Sequence, residues 1–93
     1  MKKIYLIAYD ITSDKRRNKM AELLEAHGLR INLSVFECTL TPVQYDNVLR
    51  QINELIDRKT DTVKIYPLTR EVYARSITVG RKSQGPGYTV FVD

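Results

Sequence analysis

Cysteine occurs once in this chain, as Cys38, so no disulfide can close within it. Histidine is equally scarce: His27 stands alone, and no Cys/His set has zinc-finger spacing. Both absences suit a reducing compartment, and a cytoplasmic protein is expected. Long apolar runs are missing too, since none approaches the ~20 residues that span a bilayer. The start, Met1-Lys2-Lys3 before Ile4-Tyr5-Leu6-Ile7-Ala8, imitates a short signal peptide. However, the run stops at Asp10 and no small-residue cleavage site follows, so neither a targeting segment nor a membrane partner is expected. Internal repeats and low-complexity tracts are also lacking.

What is present is a modest excess of positive charge. Net charge is +4 and the isoelectric point is near 9.3, which favours an anionic partner, nucleic acid being the commonest. Ninety-three residues leave no room for a second core. A chain of this size buries about 65% of its unfolded surface, enough to fold alone with a thin margin that dimerisation would widen.

Residues 4–9 are almost continuously apolar and β-rich, as in a strand buried on both faces. Thr12, Ser13 and Asp14 then offer helix caps, and Gly28 offers a C-terminal stop. Between them Met20, Ala21, Leu23, Leu24 and His27 recur at helical spacing. Residues 29–40 alternate instead. Leu29, Ile31, Leu33 and Val35 share one phase and Phe36, Cys38 and Leu40 the other, which predicts a bulge or two short strands reversing around residues 32–34. Thr41-Pro42 opens a second helix with Pro at its first position, carrying the stripe Tyr45, Val48, Leu49, Ile52, Leu55 and Ile56. A strand over residues 61–68 comes next, limited at its far end by Pro67, then a short strand over 76–79 and a last one over 88–92.

This order predicts an α+β, ferredoxin-like βαββαβ sandwich over residues 1–79. Residues 80–93 are expected to be a flexible C-terminal segment with a short extra strand. Both helices would cover one sheet face. The first strand has no polar alternation, so its other face needs a cover, and a second subunit is the simplest one.

Asp10 is the leading candidate for chemistry. A carboxylate at the carboxyl end of a buried strand suits a metal ligand or an acid/base group; a capping aspartate in a loop is the alternative. Lys15, Arg16, Arg17 and Lys19 then crowd the start of the helix, where the macrodipole disfavours cations. Phosphate contact would explain them, and a solvated charge run is the other reading. Arg30 adds a further cation. Ser34 can bond a phosphate or stabilise the phase break. Phe36 reads as core near the site and Cys38 as a buried thiol.

Several segments in order resemble one family: Tyr5-Leu6-Ile7-Ala8-Tyr9-Asp10-Ile11, Asp14-Lys15-Arg16-Arg17, Gly28-Leu29-Arg30 and Ser34-Val35-Phe36-Glu37. The resemblance continues through Leu40-Thr41-Pro42 and Asp61-Thr62-Val63-Lys64-Ile65-Tyr66-Pro67-Leu68. It is to the small CRISPR-associated adaptation protein, here called the Cas-two family, and covers about the first three quarters of the chain. It implies a ferredoxin-like homodimer in which Asp10 of both subunits holds a divalent metal, Mg²⁺ or Mn²⁺. It also implies roles for Tyr9, Arg16, Arg17, Arg30, Ser34 and Phe36, without deciding between the tandem arginines. The implied work is spacer acquisition in antiviral defence, next to the CRISPR integrase and on duplex DNA or single-stranded RNA.

Two mechanisms are then open. One is slow, metal-dependent endonuclease chemistry at Asp10, with arginines neutralising the developing charge. The other is a non-catalytic scaffold that bridges integrase dimers and holds protospacer duplex through its phosphates. Other modules of the same fold are disfavoured by missing glycines. Residues 32–39 lack the glycine of an RNA-recognition strand, and residues 10–14 lack the glycine of a phosphatase loop.

Overall fold

The computed structural model of the chain describes residues 1–80 and the backbone of residues 88–90. The apolar run at the start forms strand β1, Lys3–Asp10. Tyr5, Ile7 and Tyr9 point into the core, so by alternation Ile4, Leu6, Ala8 and Asp10 occupy the opposite face. Helix α1, Asp14–Glu25, starts where Ser13 Oγ accepts from the Arg16 amide at 3.3 Å, and it buries Met20, Ala21 and Leu24.

Gly28 does not stop that helix. It is the first residue of β2, Gly28–Asn32. A Cβ on it would overlap the Glu37 carbonyl and stand 2.7 Å from Cys38 Cα, so close strand approach requires the glycine. The phase reversal has both of its expected causes. Residues 33 and 34 turn the chain into β3, Val35–Leu40, and the register also shifts between Arg30 and Asn32.

Helix α2, Pro42–Leu55, begins with a reciprocal cap. Thr41 Oγ1 accepts from the Gln44 amide at 3.1 Å, and Gln44 Oε1 accepts from the Thr41 amide at 2.9 Å. Val48 and Ile52 are buried, with Tyr45, Leu55 and Ile56 packed beside them. Strand β4, Thr62–Leu68, runs through Pro67, which lies opposite Tyr5 and does not end the strand. Proline is tolerated because β4 is a sheet edge: the order is β2-β3-β1-β4, every neighbouring pair antiparallel. With α1 and α2 on one face, this is the ferredoxin-like α+β arrangement expected.

Between β4 and the next strand the structure adds a short helix that the sequence pattern did not show. This α3, Arg70–Ala74, is capped by Thr69 and buries no residue. Strand β5, Ile77–Val79, pairs in parallel with β6, Tyr88–Val90, as a separate two-stranded sheet. Residues 81–87 and 91–93, which include the end of the expected last strand, lie outside the described residues. No helix among the described residues is long and apolar enough to cross a membrane.

The sheet face away from α1 and α2 stays largely open. Ile4, Leu6, Ala8, Val35 and Leu68 are half-buried there, and Tyr66 is exposed. Helix α3 reaches this face through Tyr73, whose hydroxyl donates to Glu37 Oε2 at 2.7 Å. Burial and that bond push the Tyr73 phenol up to about 12.

Candidate nucleic-acid and metal site

Asp10 ends the central strand β1 opposite Thr62, exposed on the open sheet face. It lines an open hollow of about 330 Å³ together with Ala8, Tyr9, Thr62 and Lys64. Lys64 was not singled out by the sequence, though its alternation with Val63 and Ile65 puts it on the face of Asp10. Glu37 is not a second ligand. It lies opposite Leu6, four positions before Asp10, or roughly 13 Å along the strand, and Tyr73 already occupies it. Glu22 and Glu25 are exposed on α1. Among the described residues no three His, Cys, Asp or Glu side chains group to hold a metal ion. Among the described residues the hollow therefore offers a divalent cation one carboxylate, Asp10, right in type for Mg²⁺ or Mn²⁺ and short in number.

The tandem arginines have different partners. Arg16 grips Asp61, Nε to Oδ2 at 2.7 Å and Nη2 to Oδ1 at 3.2 Å. Four more donors converge on that carboxylate: the Thr12 amide and hydroxyl, the Asp57 amide and the Thr60 hydroxyl. The Asp61 side chain is fully buried. The Arg16 bond first, then the backbone and hydroxyl donors, holds its carboxyl well below the usual range against the opposing cost of burial. The same bond raises the Arg16 guanidinium above its ordinary value. Arg17 instead donates to the Ile11 carbonyl at 2.6 Å, next to Asp10, and pairs with Asp14.

A second cluster lies under the β2–β3 turn. Tyr9 and Phe36 are buried and stack at 6.3 Å between ring centroids. The Arg30 guanidinium lies 5.5 Å over the Phe36 ring, and its Nη2 donates to the Leu33 carbonyl at 2.6 Å. The Tyr9 hydroxyl reaches the same carbonyl at 3.2 Å, and the Tyr9 amide donates to the Ser34 carbonyl at 3.0 Å. Burial raises the Tyr9 phenol, with Arg30 pulling against it. Ser34 is half-buried within this turn. Lys15 and Lys19 are exposed on α1.

The fold thus brings Tyr9, Arg30 and Phe36 together on the helix-covered face under the turn that holds Ser34. Asp10 ends the same strand on the opposite, open face, and Arg17 is tied to the Ile11 carbonyl just after it. Arg16 is turned away into the Asp61 network. Sequence reasoning missed Asp61 as a site residue because its partners Thr12 and Arg16 lie 49 and 45 residues away. Its signals were the polar triplet Thr60-Asp61-Thr62 before an apolar strand and its place at the head of the segment 61–68 that carries the family resemblance.

Known proteins share this chain's sequence and fold. An endoribonuclease Cas2 of Synechocystis is 42% identical over 66 residues, 71% of this chain and 72% of the relative. The crystal structure of Streptococcus pyogenes Cas2 superposes with a TM-score of 0.75 at 32% identity, covering 83% of this chain and 99% of that one. A chain of a partial Cas6-RT-Cas1–Cas2 complex superposes at 0.68 with 31% identity, covering 80% and 87%. The family described as CRISPR associated protein Cas2 matches residues 3–76, from the first residue of β1 to the end of α3 and beyond. A match that takes in the whole sheet, both covering helices and Asp10 leaves one conclusion: the chain belongs to the CRISPR associated protein Cas2 family.

Proposed function

We propose that this protein works in CRISPR spacer acquisition as a homodimer that binds nucleic acid and hydrolyses phosphodiester bonds at a divalent-metal site built on Asp10. The position of Asp10 carries this reading: an exposed carboxylate at the end of the central strand, on an apolar sheet face the helices leave open. A second copy stacked on that face across a two-fold axis would bring in a second Asp10. Two carboxylates so placed repel unless a proton or a cation lies between them. With substrate phosphate oxygens they match the few protein ligands Mg²⁺ accepts. When bound, Mg²⁺ or Mn²⁺ would supply Lewis-acid stabilisation of the phosphate and a more acidic water.

The chain's own residues do the rest. Lys64, which lines the hollow with Asp10, faces developing negative charge, while Arg17, tied to the Ile11 carbonyl, and Arg30, over Phe36, add positive charge around the end of β1. Exposed Lys15 and Lys19 hold the backbone of RNA or DNA without reading bases. The Synechocystis relative's name, endoribonuclease, supports RNA as a substrate. So sparse a ligand set implies slow turnover.

A second reading has its own support. One relative was solved in a complex containing Cas1, and a lone carboxylate per copy also suits a scaffold that bridges integrase subunits and holds duplex DNA. The deciding experiment assays RNA and duplex DNA with Mg²⁺ or Mn²⁺, comparing wild type with a folded, dimeric Asp10→Asn. Hydrolysis predicts a loss of roughly 100-fold or more. Equal activity in both, or none in either, with duplex binding retained, leaves the scaffold.

A further inference from the structure

The carboxylate of Asp61 is the most heavily bonded side chain among the described residues, and the proposed chemistry does not use it. Its six hydrogen bonds come from three segments: Thr12 and Arg16 after β1, Asp57 after α2, and Thr60 just before β4. Asp10 and Thr62 are the last pair of the β1–β4 ladder. Asp61 immediately precedes that pair on one strand, and Thr12 lies two residues beyond it on the other. The network therefore ties the two chains together at the point where the ladder stops. Beyond a ladder's end, strands fray unless something holds them.

We infer that Asp61 is a positioning residue for Asp10, acting through Thr12 and Arg16, and that Arg16 belongs to this clamp and not to the nucleic-acid surface. The role rests on the function proposed above. Catalytic constellations tolerate errors of only about 0.5 Å. In a two-fold dimer a shift of Asp10 in one copy is mirrored in the other, so the gap between the carboxylates changes by up to twice the shift. A clamp adjacent to the ladder's last pair removes that freedom. The geometry of Arg16 agrees: its fork spans both Asp61 oxygens, and Nη2 also donates to Thr12 Oγ1 at 3.3 Å. An arginine so engaged has little left to offer a phosphate.

The test uses the full-length protein as wild type, Asp61→Asn, Arg16→Lys and the double variant. Asparagine places an amide donor among the donors that Asp61 accepts, whereas lysine keeps the charge of Arg16 and loses its fork. Cleavage of RNA is followed against Mn²⁺ and substrate concentration, and duplex affinity is measured without metal. Each single variant should lower kcat by about tenfold and raise the Mn²⁺ needed for half-maximal rate, as losses of outer-shell support do. KM and metal-free affinity should stay within about twofold of wild type, and the double variant should be no worse than the poorer single.

An Arg16→Lys variant with wild-type kcat overturns the inference. So does a loss confined to KM or affinity, or an additive double variant, since each would put Arg16 on substrate. Should Asp61→Asn fail to fold, Arg16→Lys still decides. Wild type without metal-dependent cleavage overturns the proposed function before any variant is compared, and this role with it.

Discussion

At the scale of single residues, the Asp61 carboxyl titrates lower in the folded protein than in the unfolded chain, where it sits near 3.9. Its contribution to stability is thus complete above about pH 4 and drains away as pH falls towards the folded value. We predict that wild type loses stability more steeply than Asp61→Asn below about pH 4. Urea midpoints taken from about pH 5 to about pH 2.5 check this, and parallel curves would refute it. The sequence did not reveal this residue, because burial and long-range partners define it. Asp10 was visible because it terminates an apolar run, and Phe36 because its phase placed it with Cys38 and Leu40. Both of these features can be read from a few neighbours. Cys38 is buried and its thiol is pushed up to about 11, as a packed, unreactive cysteine requires.

At the scale of elements, the periodic helices and the strands were legible, the short strands Ile77–Val79 and Tyr88–Val90 included, and the short helix was not. Helix α2 announced itself by its stripe and by Pro42, although the Thr41–Gln44 box was overlooked. Thr41→Ala removes the bond that the Thr41 hydroxyl accepts from the Gln44 amide and should cost about 1 kcal/mol in urea unfolding with an unchanged m-value. A change within about 0.5 kcal/mol of zero would place this position among ordinary surface sites. Helix α3 escaped notice because five residues with no buried member leave no stripe to read. Gly28 misled for a different reason. A glycine after a helix usually marks its stop, but here the crowding comes from a strand that sequence position alone does not reveal.

At the scale of the whole molecule, the sheet is covered on one side only. If a second copy covers the other, a charge at Leu6 should separate the pair. Leu6→Lys sets like charges near each other across the interface and should weaken dimerisation by about 100-fold or more, leaving a folded monomer in sedimentation. A dimer as tight as wild type would move the interface elsewhere. Among the described residues past the end of β4, α3 is the element that meets the main sheet. Helix α3 is moored by Tyr73 on Glu37, and no residue from 69 to 80 is fully buried. Residues 70–74 therefore rest on the sheet like a plaque hung from a single nail, and the wall behind does not depend on the plaque.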